Sequence, residues 1–191
     1  MRKILNKLCL ADMINIISKN IILDGGMNMS KIVNKETLHA ELVDNNRKAL
    51  EHRATWMGLI YDEAKKAGAD AEAICRAAVK RCGLFHGEGY KEQCNGSLDC
   101  RVFKQIFLPE IAIKTFEMET TQTEKDVTVT FHYCPLVSAW QKLGFDDETC
   151  ELLCDIAMDG DRGIAEANGL KFELGDTIAK GCPTCKLHLS R

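Results

Sequence analysis

A cysteine, a histidine and an Asp–Arg pair carry most of the chemistry this sequence could perform. Cys134 stands directly before Pro135, at the expected N-cap of a helix. There the positive end of the helix dipole and free backbone N–H groups lower a thiol pKa. Strand parity puts His132 on the same side as Cys134, and an imidazole beside a thiol can accept its proton. The expectation is a thiolate nucleophile at neutral pH. The plainer alternative is a buried cysteine at a strand–helix junction.

Asp161-Arg162-Gly163 is read as a turn between elements. Arg162 could fork a substrate carboxylate, and Asp161 could hold a proton or orient a histidine; a surface Asp–Arg pair is the competing reading. Cys182 and Cys185 form a CxxC, which lacks the βαβ context of a thioredoxin-like site. Zinc needs four ligands in a closed site. Cys134, Cys154, Cys182 and Cys185, with His132, could supply them, although the pairs do not repeat as CxxC…CxxC. His86 lies in GLFHGEGYKEQCNGSL, residues 83–98, whose four glycines predict a loop. It is either a site residue or a solvated loop histidine.

Those residues sit in a chain of 191, enough for one domain with a small appendage. The charge is 25 basic minus 28 acidic residues, or −3. With no basic stripe, no nucleic-acid surface is indicated. No run of eighteen apolar residues occurs, so no membrane span is expected. Ten cysteines mean a disulfide framework in a secreted chain, or reduced thiols in a cytosol. Leu8 to Leu23 is broken by Asp12, Asn15, Ser18, Lys19 and Asn20, leaving no signal-peptide core. The expectation is therefore a cytoplasmic protein with most thiols reduced.

Residues 1–34 read as an amphipathic extension, broken at Asp24-Gly25-Gly26, with Met27 and Met29 as alternative starts. The domain is placed at 35–191. A helix is predicted over 35–67, with Leu38, Leu42, Leu50, Trp56, Met57, Ile60 and Ala64 at helical spacing. Asp70 caps a second helix, whose face of Ile74, Cys75, Ala78, Val79 and Cys82 ends at Gly83. A short helix over 98–107 follows. Residues 111–120 and 127–133 then alternate around a polar turn, as an antiparallel hairpin does. Pro135 opens a helix that Gly144 closes, and Cys150, Leu153, Cys154 and Ala157 share the face of another, expected to end at Gly160. Extended pieces at 170–174 and 186–189 finish an α+β fold, with helices packed on a small antiparallel sheet.

From about Trp56 onward the chain resembles the L-2-amino-thiazoline-4-carboxylic acid hydrolase family. The resemblance rests on Phe116-Glu117, on HYCPLVSAWQKLG from His132 to Gly144, and on LCDIAMDGDRG from Leu153 to Gly163. TIAKG from Thr177 to Gly181 and the closing Cys185 complete it, while Cys182 departs from the usual pattern. The resemblance implies hydrolytic opening of a small cyclic amidine-like acid to an N-carbamoyl-cysteine type product. Cys134, His132, Asp161 and Cys185 would then be catalytic, and Arg162, Cys154 and His86 would bind substrate. The rival expectation is a thiol-lined protein that binds a small molecule, zinc or iron without turnover. No cofactor is required, zinc remains open, the partner is a small-molecule substrate, and self-association is undecided.

Overall fold

The computed structural model describes residues 30–191, and Lys31–Arg191 forms one compact unit. Of the extension expected over 1–34, residues 1–29 lie outside the described part. Residues 31–34 pack with the domain, since Ile32 is buried in its core.

The order is α1 (Glu41–Lys66), α2 (Ala71–Gln93), α3 (Cys100–Phe107), α4 (Glu110–Thr115), β1 (Met118–Gln122), β2 (Asp126–Phe131), α5 (Pro135–Lys142), α6 (Asp147–Ala167), β3 (Lys171–Leu174), a 3-10 turn (Ile178–Lys180) and β4 (Cys185–Ser190). The four strands pair antiparallel in the order β1-β2-β4-β3. Helices segregate from one small antiparallel sheet, so the α+β class stands.

Alternation decides the faces of the sheet. Val127 and Val129 on β2 and Leu187 and Leu189 on β4 point inward, packing with Phe103 of α3 and Ala165 of α6. A second core joins Trp140 of α5, Leu153 and Ile156 of α6, Tyr61 of α1 and Ile178 of the 3-10 turn.

Several sequence expectations are corrected. Helix α1 begins at Glu41 rather than 35, because residues 31–40 form an irregular strap tied to Cys134 and Glu117 by Asn34, Thr37 and Leu38. Its buried stripe is Val43, Arg47, Ala54, Gly58 and Tyr61, while Leu38, Leu42, Trp56 and Ile60 are exposed. Small residues make the contact because they admit a large partner. A Cβ on Gly58 would stand 3.1 Å from the Trp140 ring, and the Trp140 indole N–H donates to Ala54 O at 3.0 Å. Residues 111–115, expected as strand, belong to α4 behind Pro109, and the hairpin begins only at Met118.

The largest difference is α2, which does not end at Gly83. It continues through Gly83, Gly87 and Gly89 to Gln93. Each interior glycine costs a helix about 1 kcal/mol relative to Ala. Close contact with α6 offsets that cost. A Cβ on Gly83 would strike the Gly160 carbonyl, one on Gly87 would lie 2.7 Å from Ala167 Cβ, and one on Gly163 would lie 2.6 Å from Lys80 O. Cys75, Gly83 and Gly87 therefore form the buried seam, and Cys82 is exposed rather than packed with Cys75. The same crossing carries α6 past Gly160 to Ala167, so Asp161 and Arg162 are helical and not in a turn.

Gly163→Ala should therefore destabilise the domain by roughly 3 kcal/mol through backbone overlap, lowering its melting temperature by about 6–12 °C. Gly89→Ala, which meets nothing within 4 Å, should leave melting unchanged or raise it slightly. Thermal denaturation of the two variants checks the crossing.

Candidate active site

Cys134 is the N-cap of α5, with extended backbone at φ −133° and ψ 110° and Pro135 at the first helical position. Asn34 holds its peptide from both sides. Cys134 N–H donates to Asn34 Oδ1 at 2.9 Å, and Asn34 Nδ2 donates to Cys134 O at 2.8 Å. Asn34 is the residue that sequence reasoning missed, since it lies 100 positions away in a segment given no function. No local pattern could have marked it.

Asn34 is itself held through Glu117. The Glu117 carboxylate accepts from Thr37 N–H at 2.7 Å, Thr37 Oγ1 at 2.6 Å, Leu38 N–H at 3.0 Å and Arg47 Nη2 at 2.8 Å. Burial alone would raise its pKa, but these donors bring it down to about 2. Arg47, only 4% exposed, also donates to Thr115 O and Leu38 O and lies 4.6 Å from the centre of the Tyr133 ring.

Around Cys134 the described residues bring together Cys154 and Asp161 of α6 and Cys185 of β4. Each thiol lies within electrostatic reach of another: Cys134 acts on both Cys154 and Cys185, and Cys185 acts on Cys154. The Cys134 side chain is closely surrounded by protein although the residue is only partly buried. Burial pushes its thiol above the ordinary value, opposed by the N–H groups of Val137 and Leu136, with Asp161 adding to the rise. Neither N–H closes a side-chain cap with the resting thiol, but both favour the thiolate. The expected low-pKa thiolate is thus corrected: desolvation outweighs the helix terminus, and the resting group is a thiol. Burial raises Cys154 as well, and lifts Cys185 to about 12, although Ile178 N–H donates to Cys185 Sγ at 3.1 Å.

Asp161 is a partly exposed residue whose carboxyl is enclosed by protein. Burial lifts it to about 6, against its own backbone N–H and the charges of Arg162 and Arg53. A carboxyl near neutrality beside a buried thiol can take and return a proton.

The remaining candidates are not part of this cluster. His132 is half-exposed, and its Nε2 pairs with Glu119 Oε1 at 3.3 Å. Strand parity does not extend past Phe131, where β2 ends. Arg162 is not free for a substrate. Its Nη1 donates to Asp159 at 2.7 Å and its Nη2 to Asp155 at 2.6 Å, while Arg76 of α2 binds the opposite oxygens of both carboxylates. His86 is exposed on α2, in a shallow depression built from α2 residues alone. Cys182, partly buried before β4, touches the cluster only through its effect on Cys185. Among the described residues no three His, Cys, Asp or Glu side chains converge as metal ligands would, so Cys134, Cys154, Cys182 and Cys185 do not assemble the zinc set.

A cavity of about 510 Å³ opens beside Cys154, walled by Glu148, Glu151, Leu152, Thr177 and Lys180. Of the thiol cluster, Cys154 lines it.

A family model described as L-2-amino-thiazoline-4-carboxylic acid hydrolase matches residues 47–189. The chain belongs to that family. The match spans three quarters of the sequence and includes Cys134, Cys154, Asp161 and Cys185, whereas Asn34 precedes it. No curated protein matches the chain. Membership of the L-2-amino-thiazoline-4-carboxylic acid hydrolases makes the protein an enzyme that cleaves its substrate with water. No helix among the described residues is long and apolar enough to cross a membrane.

Two outcomes follow from these protonation states. At pH 7.5 iodoacetamide should label exposed Cys82 well before Cys134, and Cys134 labelling should accelerate above pH 9, as peptide mapping across pH would read. For Asp161 the folded pKa is raised, so its stabilising protonation is complete below about 4 and is lost as pH rises through about 6. Asp161→Asn should therefore melt higher than the parent at pH 7.5, by on the order of 2 kcal/mol, and match it at pH 4.

Proposed function

We propose that the protein opens a small cyclic amidine acid of the 2-aminothiazoline-4-carboxylate type, with Cys134 as nucleophile and Asp161 as its proton carrier. The observation behind this reading is the buried Cys134 thiol at a helix N-terminus, beside a carboxyl tuned to about 6. Carbon 2 of such a ring is electrophilic, bonded to two nitrogens and to the ring sulfur.

The Asp161 carboxylate removes the Cys134 proton as the sulfur bonds to carbon 2. The growing negative charge on Sγ is met by the N–H groups of Leu136 and Val137. The bond from carbon 2 to the ring sulfur then breaks, and the Asp161 carboxyl returns the proton to the departing sulfur. This leaves an isothiourea on Cys134. Water attacks the same carbon, gives a proton to Asp161 and expels the Cys134 thiolate, which recovers that proton. The sum is one water added and one C–S bond broken, with an N-carbamoyl-cysteine type product. The steps draw only on this chain's side chains and on water.

Cys185 and Cys154 serve this reading as neutral walls. Their thiols are held protonated by burial, so they place no charge against the Cys134 thiolate. Asn34 fixes the peptide that carries the nucleophile.

Cys134→Ser should reduce turnover of L-2-amino-thiazoline-4-carboxylate at least a thousandfold with melting nearly unchanged. Asp161→Asn should cost roughly a hundredfold or more, and the parent rate should fall as pH drops through about 6. Product release followed by mass spectrometry reads all three. Full turnover by Cys134→Ser would remove the nucleophile.

A further inference from the structure

A substrate of this class carries a carboxylate and a cationic amidine, and the arginine singled out for the carboxylate is held between two aspartates. The cavity beside Cys154 has the missing charges. Its charged walls are Glu148, Glu151, Asp155 and Lys180. Asp155 is bound by Arg76 and Arg162, and Glu151 leans on Lys31 at 3.9 Å. Among the described residues Lys180 Nζ and the Glu148 carboxylate take part in no hydrogen bond or ion pair, with each other or with another group. One positive and one negative side chain thus face the same space without neutralising each other.

Lys180 is not on a loose loop. It ends the 3-10 turn, where Ile178 and Ala179 are fully buried and the Thr177 hydroxyl accepts Lys180 N–H at 3.2 Å. Gly181 follows at φ +84°, a conformation that suits glycine, packed against the Lys31 side chain. The same turn donates Ile178 N–H to Cys185 Sγ. The Lys180 charge also reaches the Cys154 thiol. The turn therefore fixes the backbone that carries this exposed ammonium beside the thiol cluster.

We propose that this cavity recognises a zwitterionic, amino-acid-like ligand, Lys180 taking its carboxylate and Glu148 its cationic nitrogen. The assignment rests on the hydrolase reading, for which it supplies the residues that select substrate. Lys180 and Glu148 act as specificity residues, and neither enters the bond-breaking steps.

The test uses the full chain carrying Cys134→Ser, so that ligands bind without turnover, and calorimetric titration with two probes. L-2-amino-thiazoline-4-carboxylate has the carboxylate, and 2-amino-2-thiazoline lacks it. Lys180→Gln should weaken binding of the first about tenfold, the worth of one charge-assisted contact, and leave the second unchanged. Lys180→Arg should restore the preference, and added salt should erode it in the parent but not in Lys180→Gln. Glu148→Gln should weaken both probes. Unchanged discrimination in Lys180→Gln overturns the proposal. So does its loss in Arg53→Gln instead, which would put the carboxylate on the Asp161 side, and so does failure of both probes to bind. Turnover of the Cys134→Ser chain is scored separately: retained activity there removes the nucleophile while a Lys180 effect on binding still stands.

Discussion

The carboxylate of Glu117 holds the reactive end of this fold in place. Its backbone is left-handed, at φ +51°, which is unusual for a residue with a side chain. Four donors from two segments offset the strain: Thr37 and Leu38 of the strap formed by residues 31–40, and Arg47 of α1. The Glu117 carbonyl also accepts His132 N–H, which ties the end of the hairpin to the same residue. A buried ion pair is weak evidence of net stabilisation, because desolvation consumes most of the attraction. Its value here is geometric. By fixing the strap, Glu117 brings Asn34 to the Cys134 peptide. By fixing Arg47, it seats the cation against Tyr133, the residue before Cys134.

The opposite wall depends on backbone proximity. Glycines at 83, 87 and 163 let α2 and α6 approach more closely than any side chain would permit. Beside that seam, Arg76 and Arg162 share Asp155 and Asp159, oxygen by oxygen. The network turns the charged face of α6 toward α2. Helical geometry then turns Cys150, Cys154, Ala157 and Asp161, at intervals of three and four, toward the thiol core.

Between these walls the resting site holds no thiolate. Burial holds the three thiols protonated and lifts Asp161 to about 6, which leaves it mostly ionised at neutral pH but ready to take a proton. Such a site does not bear a standing buried thiolate, whose desolvation would be costly. In the proposed mechanism the thiolate forms only as substrate arrives, its charge passing from the Asp161 carboxylate to a sulfur already met by two backbone N–H groups. Stray electrophiles meet a protonated, enclosed group.

The sequence by itself determined the class, the antiparallel hairpin after Met118, the proline-opened helix with Cys134 at its cap, and the apolar face of α6. These features come from local rules: alternation, capping and helical spacing act over a few residues and are written there. Membership of the hydrolase family was also legible, in the ordered runs from Phe116 to Cys185. Only tertiary structure decided which faces are buried. Large residues such as Trp56, Ile60 and Ile74 looked like core and stand in solvent, while Ala54, Gly58, Gly83 and Gly87 carry the contacts. A glycine has the same local signature whether it breaks a helix or admits a neighbouring one. For that reason α2 was read as stopping ten residues early and His86 as a loop residue. Likewise Arg162 and His132 had the right chemistry, but their partners, Asp155, Asp159 and Glu119, were settled by packing. Asn34 had no local signal at all, because a clamp 100 residues from its cysteine exists only once the chain has folded.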